Sequence, residues 1–303
     1  MPTVAASRPS PDAPPAQPAV PAHAPLAVEL RGTVAESVHL GSVAVVDRDG
    51  RLLHAAGDPF FLTMTRSALK PFQAVPFVAA GGPERFGYTG DEVALLCASH
   101  SGEPRHVEAA AAMLAKAGNR VDALQCGTHA PKFHEVRGEV PPPPPWSPLA
   151  HNCSGKHSGM LAYCAQCGWS SEDYLAWGHP LQQRVRRAVA HYAGVDEAAL
   201  PWGIDGCSAP NYALPLANLA YAYARLAGDE ADAEYGVAAR TLADAMTAYP
   251  EMISGEGRSD LALATAGRGD LVAKVGAEGV QAIGVRSRGI GIAIKVADGA
   301  ARG

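Results

Sequence analysis

The chain has no apolar run approaching the length of a bilayer span, and its N-terminus has neither a basic start nor an apolar central stretch. A membrane anchor and a secretory signal are therefore not expected, and a cytoplasmic location is. No cluster of Lys and Arg is present: 25 basic residues stand against 30 acidic ones, for a net charge of -5. Recognition of a polyanion needs a clustered basic face, so nucleic acid is not an expected partner. Regular alternation of strand and helix patterns is missing, as is any repeat of solenoid period, which excludes Rossmann and repeat architectures. Cysteine is scarce, with six in 303 residues. Six cannot frame a chain this long with disulfides, so each reads as a core residue, a metal ligand or a nucleophile. What is present is a 48% hydrophobic content, enough for a substantial core.

From Met1 to about Pro25 the sequence is Pro, Ala and Ser with few apolar anchors. Such a segment cannot bury enough surface to offset the entropy of ordering, which predicts a disordered leader over residues 1–26 and a single catalytic domain over 27–303. Val28 to Val34, Ser42 to Val46 and Leu52 to Ala56, with the turn Asp47-Arg48-Asp49-Gly50, read as a strand and a hairpin. Leu271 to Val275, Val280 to Val285 and Ile290 to Val296 read as a second antiparallel meander. Apolar residues at three- and four-residue spacing predict helices over 68–79, 107–117, 160–167, 180–192, 214–227 and 237–248. Strands, then helices, then strands point to an α+β fold: one antiparallel sheet of N- and C-terminal strands with a helical middle block. Pro141 to Pro145 must run as an extended surface segment.

Three segments concentrate chemistry. Arg66-Ser67-Ala68-Leu69-Lys70-Pro71 puts a hydroxyl one helical turn before an amine, an arrangement in which a neutral Lys can take the Ser proton. A lone Ser-x-x-Lys is a weak motif, and Ser67 as a simple helix cap is its bland reading. Cys97-Ala98-Ser99-His100-Ser101-Gly102-Glu103 is a polar corner that offers a second hydroxyl, and Lys274-Val275-Gly276 puts an amine on a strand beside a glycine that lets another backbone approach. Finally, Asn152-Cys153-Ser154-Gly155-Lys156-His157 and Gly203-Ile204-Asp205-Gly206-Cys207 bring two thiols, an amine, an imidazole and a carboxylate into glycine-framed turns. These residues read as a serine amidohydrolase with an attached metal site. Residue chemistry alone favours Cys153, Cys207 and His157 as the ligands, because neutral lysine is a rare one.

Taken in order, SALKPFQAVP, CASHSGEPRH, LQCGTHAP, HNCSGKHSGML, GIDGCSAP and KVGAEG resemble the L-asparaginase II family, the rhizobial-type enzymes with a serine β-lactamase/glutaminase-like fold. The resemblance implies hydrolysis of L-asparagine to L-aspartate and ammonia, a role in asparagine catabolism, and a homodimer. It implies two Ser-Lys pairs, Ser67 with Lys70 and Ser99 with Lys274, in which Ser67 attacks the side-chain amide and Lys70 accepts its proton. Burial beside a second amine, Lys274, would help Lys70 lose its own proton. It further implies a Zn2+ site of Cys153, Lys156 and Cys207, a metal not needed to activate water when a serine is the nucleophile. His157 and Asp205 then become groups around substrate or metal, Asp205 an anchor for an α-ammonium, and Arg66 an anchor for a carboxylate. The chain departs from the family in the long proline run and in stopping at Gly303, where members continue into another helix and strand, as a truncated form would.

Two rival functions compete. One is a thiol amidohydrolase with Cys153 as nucleophile and His157 as base, since the two lie four apart at a helix start. The other is a non-catalytic module that binds zinc or an amino acid. Cys164 and Cys167, spaced as C-x-x-C, read as core residues, as do Cys97 and Cys126, and the loop histidines His129 and His134 read as solvated.

Overall fold

The structure, a computed structural model, describes residues 22–228 and 232–299. The expected leader falls outside these residues except at its end, where the first strand already begins at Ala24. Among the described residues nine strands and eleven helices longer than a 3-10 turn follow one another. The strands β1 (Ala24–Arg31), β2 (Val34–Asp47) and β3 (Leu52–Ala56) open the chain, and the short β4 (Leu62–Met64) follows. The helices α1 (Lys70–Ala79), α2 (Gly82–Phe86), α3 (Gly90–Leu95), α4 (Pro104–Lys116), α5 (Phe133–Val136), α6 (Ser154–Cys167) and α7 (Pro180–Ala193) make the first part of the middle. After β5 (Trp202–Ile204) and β6 (Pro210–Pro215) come α8 (Leu216–Gly228), α9 (Gly236–Ala248), α10 (Pro250–Ile253) and α11 (Ser259–Gly267). The chain then closes with β7 (Leu271–Gly276), β8 (Val280–Val285) and β9 (Ile290–Val296).

N- and C-terminal strands do share one antiparallel sheet, in the order β1-β2-β9-β8-β7. Strand β2 is long enough to serve several partners. Its Val34 to Gly41 pair with β1 and its Val43 to Val46 with β3, while Gly41 to Asp47 bond β9 along the opposite edge. Alternation of apolar side chains in β8 and β9 buries one face. Helix α8 lies on that face, and glycine makes the approach close: a Cβ at Gly291 would sit 1.8 Å from the Ala220 carbonyl and one at Gly284 2.6 Å from that of Tyr223. The fold is therefore α+β, as expected.

Several elements were not foreseen. The three-stranded sheet β4-β6-β5 rests on segments as short as three residues, too short to show a period. Helices α3 and α11 were likewise unread. Helix α6 starts earlier than its apolar spacing suggests, because its first turn carries the polar run Ser154 to His157, which is buried rather than solvated. Cys97, Cys126 and Cys164 are buried as expected, but Cys167 is exposed at the end of α6, a correction to its reading as core. No helix among the described residues is long and apolar enough to cross a membrane. The proline run joins no helix or strand and is mostly exposed, but it is bent at Pro144, where the Pro144–Pro145 peptide is cis, rather than extended throughout.

Candidate active site

Ser67 stands in a single 3-10 turn, Arg66–Leu69, that feeds directly into α1, with Pro71 in the first helical turn. Residue Arg66 takes φ 50°, the left-handed region that a side-chain-bearing residue visits at a cost. Asn211 on β6 holds it there. The Asn211 Oδ1 accepts the Arg66 N–H at 3.0 Å, and its Nδ2 donates to the Arg66 carbonyl at 3.0 Å. Thr65 adds a hydroxyl bond to the Tyr212 carbonyl at 2.7 Å. The half-buried Ser67 hydroxyl caps nothing and has no hydrogen-bond partner among the described residues, so its reading as a helix cap is not realised.

Lys70 is buried, and its amine is surrounded by oxygen: Ser99 Oγ at 2.9 Å, the Ala98 carbonyl at 2.5 Å and the Asn152 carbonyl at 3.2 Å. Lys274 is fully buried and lies 3.0 Å from Asp260 Oδ2 and 2.9 Å from the Val275 carbonyl. The pairing expected from the family pattern thus differs here. Lys70 meets Ser99 rather than Ser67, and Lys274 meets Asp260 rather than Ser99. The reason is topological: α1 points Lys70 into the corner after α3, and α11 sets its first turn against β7. Burial lowers Lys274 to about 8, with Asp260 acting in the opposite direction and Lys70 adding to the fall.

The corner that carries Ser99 is fastened from behind. Its N–H donates to the Ile253 carbonyl at 2.8 Å, and the Glu103 carboxylate accepts from the Ser101 hydroxyl and from the Glu256 N–H, each at 2.9 Å. A Cβ on Gly255 would fall 2.2 Å from Ser101 Oγ, so only glycine lets this strap close. His129, read as solvated, instead donates from Nδ1 to the Ala130 carbonyl at 2.7 Å and accepts the Asn152 N–H at Nε2 at 3.1 Å, and so steadies the loop whose carbonyl faces Lys70.

The second centre joins the start of α6 to the turn between β5 and β6. That turn is closed by the Asp205 N–H donating to the Ala209 carbonyl at 3.0 Å and the Ser208 N–H to the Asp205 carbonyl at 2.9 Å, with Ser208 at φ 67°, and it carries the buried Cys207. Lys156 Nζ lies 3.0 Å from Cys207 Sγ, and both cysteines and the lysine are buried. A hydrogen bond from Cys153, helped by the nearby Lys156, lowers the Cys207 thiol despite its burial, while sharing that proton with Cys207 raises Cys153 well above the thiol range. Burial opposes the charge on Lys156, but Cys207 and Cys153 together raise it. The three groups form one buried cluster whose charges depend on one another.

His157, buried in α6, receives a different assignment from the one its chemistry alone suggested. Its Nδ1 lies 2.7 Å from the Tyr174 hydroxyl, which already accepts the Gln125 N–H at 3.0 Å. Tyr174 therefore donates to Nδ1, and the proton of the neutral ring sits on Nε2, which has no hydrogen-bond partner within the described residues. Burial lowers the ring to about 4. Lys156 puts its Nζ 3.0 Å from Cys207 Sγ, in contact with the thiol pair, while His157 Nδ1 is taken up by Tyr174. No three His, Cys, Asp or Glu side chains converge as a metal-holding group among the described residues. Two convergent thiols and a buried amine are a donor set that suits zinc.

Asp205 and Arg66 are brought together, Asp205 Oδ1 accepting from Arg66 Nε at 3.0 Å and from the Gly206 N–H at 2.8 Å. Arg66 also faces Glu278 at 3.7 Å. A cleft of about 470 Å³ opens along this pair, walled by Phe61, Met64, Ile204, Asn211 and Lys295. Two residues of the site, Asn211 and Asp260, carried no signal in the sequence. Each is an isolated polar residue whose partner is distant in the chain.

A family profile, L-asparaginase II, matches residues 27–303. The chain belongs to the L-asparaginase II family. A search of curated proteins finds no match. Among solved structures, Mglu in its native form is similar at 18% identity and a TM-score of 0.39, over 87% of this chain and 62% of Mglu. The chain thus spans about three fifths of the Mglu chain. A β-lactamase from Mycobacterium bovis is similar at 13% identity and a TM-score of 0.41, over 86% of this chain and 88% of that one.

Proposed function

We propose that the chain is an L-asparagine amidohydrolase that works through a serine acyl-enzyme. The observation that carries this reading is the setting of Lys70. Two of its three neighbours, the Ala98 and Asn152 carbonyls, can only accept, while the third, Ser99, can also donate. As an ammonium the amine donates to all three; once it gives up one proton, two N–H groups remain for the carbonyls and a lone pair faces the Ser99 hydroxyl. That contact supports a role for Lys70 as base on a hydroxyl.

In this reading Ser67, whose hydroxyl is uncommitted, attacks the side-chain carbonyl of asparagine. Its proton passes through Ser99 to Lys70. The tetrahedral intermediate collapses with the amide nitrogen taking the proton held by Lys70, and ammonia leaves. Water then attacks the β-aspartyl ester, its proton returns to Lys70, and as the ester bond breaks the proton goes back to the serine. Because Ser99 touches the base directly, a second assignment has Ser99 itself as nucleophile with Ser67 steadying the developing oxyanion.

An α-amino acid carries one charge of each sign, matching the Arg66 and Asp205 pair. Its carboxylate and ammonium can take over the two halves of that ion pair, so the charges lost on opening it are regained on binding. Cys153, Lys156 and Cys207 would hold Zn2+. When bound, the metal would neutralise the two sulfurs and lock α6 to the turn before β6, the turn that also carries Asp205.

Ammonia release from L-asparagine by wild type, Ser67→Ala and Ser99→Ala tests the reading, with L-glutamine alongside. Mass spectrometry of acid-quenched enzyme then identifies the peptide that gains an aspartyl group. Activity surviving in both variants with label on Cys153 would replace the serine mechanism by the thiol one. Stoichiometric asparagine binding without ammonia would leave a binding module.

A further inference from the structure

We infer that Asp260 is a positioning residue whose buried carboxylate keeps Lys274 as an ammonium beside Lys70, leaving Lys70 as the amine that gains and loses the proton. The inference rests on the serine amidohydrolase reading and divides the work of its two lysines.

The geometry is that of a closed ion pair. Lys274 and Asp260 side chains are 0% and 1% exposed, and their charged atoms lie 3.0 Å apart. The other Asp260 oxygen accepts from Gln281 Nε2 at 3.3 Å, and the same nitrogen donates to the Ala282 carbonyl at 3.2 Å, so β8 fixes the carboxylate from behind. Asp260 also stands in the first turn of α11, where the helix favours a negative charge. A charge this deep is tolerated only when paired. Lys70 has a different environment: its three hydrogen-bond partners are two carbonyls and a hydroxyl, with no carboxylate among them. One buried amine therefore has an anion that demands an ammonium, and the other has three neutral partners, one of them a hydroxyl that can donate back when the amine loses a proton.

The remaining groups facing Lys274 agree with this division. Lys70 on α1 and Arg258, just before α11, are both cationic and act against its charge. Cys97, at the end of the segment after α3, is pushed up to about 12 by burial and supplies no anion. Tyr223 on α8, whose charged form would oppose Asp260 rather than meet Lys274, is likewise raised by burial and stays neutral. The charge of Lys274 thus depends on Asp260, the one carboxylate in contact with it among the described residues.

The experiment is the pH profile of asparagine hydrolysis by wild type, Asp260→Asn and Asp260→Glu, together with lysine ε-carbon NMR, where a Lys274→Met variant identifies the Lys274 signal. Asp260→Asn is expected to move the alkaline limb of kcat down by about one pH unit or more, as loss of an adjacent opposite charge does, with KM nearly unchanged. Asp260→Glu is expected to restore the limb. The NMR signal should show Lys274 charged at neutral pH in wild type and neutral in Asp260→Asn. A folded Asp260→Asn whose profile superimposes on wild type, or whose activity falls equally at every pH, overturns the inference. So does a wild-type Lys274 that is already neutral at neutral pH, a measurement that stands even if Asp260→Asn does not fold. Should wild type hydrolyse no amide while the NMR dependence holds, the amidohydrolase reading fails and the Asp260 assignment survives.

Discussion

The Lys70 amine lies 2.9 Å from the Ser99 hydroxyl, although Ser67 is the hydroxyl nearer to it in the chain. Sequence adjacency favours the Ser67 pair, but a lysine side chain is long and follows acceptors. Here the corner after α3 offers two at once, the Ala98 carbonyl and Ser99 itself. On the proposed mechanism, proton traffic would therefore run by way of Ser99 whichever serine carries the acyl group.

That arrangement makes Ser99 as sensitive as Ser67. Ser99→Ala should lower kcat by roughly 10²-fold or more, the usual contribution of a positioned proton-transfer group, without a comparable rise in KM. Steady-state ammonia release measures it. A Ser99→Ala enzyme within a fewfold of wild type would show that protons reach Lys70 by another route.

Asn211 is the next point of leverage. It holds both backbone groups of Arg66 in a conformation that Arg66 would not choose, directly ahead of Ser67. Replacing it with Ala strands those groups in a partly buried setting, which should destabilise the fold by about 1–3 kcal/mol. Released from φ 50°, Arg66 should relax and carry Ser67 out of line, so activity should fall further than stability explains. Urea unfolding and kcat/KM on the same samples separate the two effects. Loss of stability with full activity would show that Ser67 is held by α1 alone.

The main sheet and the longer helices were legible because their apolar residues repeat with a period, and the six motifs located the two centres. The partners within each centre were not. Lys70 and Ser99 meet through the packing of α1 against the corner after α3, and Lys274 and Asp260 through the docking of α11 on β7, contacts that no local pattern encodes. Asp260 reads in sequence as an ordinary acid in a helix first turn. His157 is similar: its chemistry suggested a ligand, and nothing near it in the chain announces the Tyr174 hydroxyl 2.7 Å from its Nδ1.

Metal removal has a signature of its own. Without metal, the second centre holds a thiol at Cys153 and an ammonium at Lys156, both of which must give up a proton before they can coordinate. Zinc uptake should therefore release protons and weaken steeply as pH falls. We expect about one zinc per chain, lost in Cys207→Ser and under strong chelation, with a lower Tm in both cases. Calorimetry in buffers of differing ionisation enthalpy counts the protons. Uptake without proton release would mean that Lys156 remains an ammonium and that the metal uses other donors.

Acid should weaken the fold through a pair of buried histidines. His100 and His106 stack with ring centres 4.8 Å apart, and each uses Nδ1 to accept a backbone N–H, from Gly102 at 3.2 Å and from Glu103 at 3.1 Å. Neither ring can take a second proton without losing that bond. Burial, reinforced for His100 by His106 and Lys70, accordingly lowers both below the usual imidazole value. A histidine lowered in the fold binds its proton more readily when unfolded. Between the unfolded value of about 6.5 and the lower folded value, the unfolded chain holds protons that the native chain does not. The stabilisation is thus complete above about pH 6.5 and declines as pH falls below it, at up to about 1.4 kcal/mol per pH unit for each ring. Urea midpoints taken from neutral pH down to about pH 5 should fall in step, and His106→Gln should lower the neutral midpoint while flattening the slope. If the variant kept the full wild-type slope, the acid response would have to come from groups other than this pair.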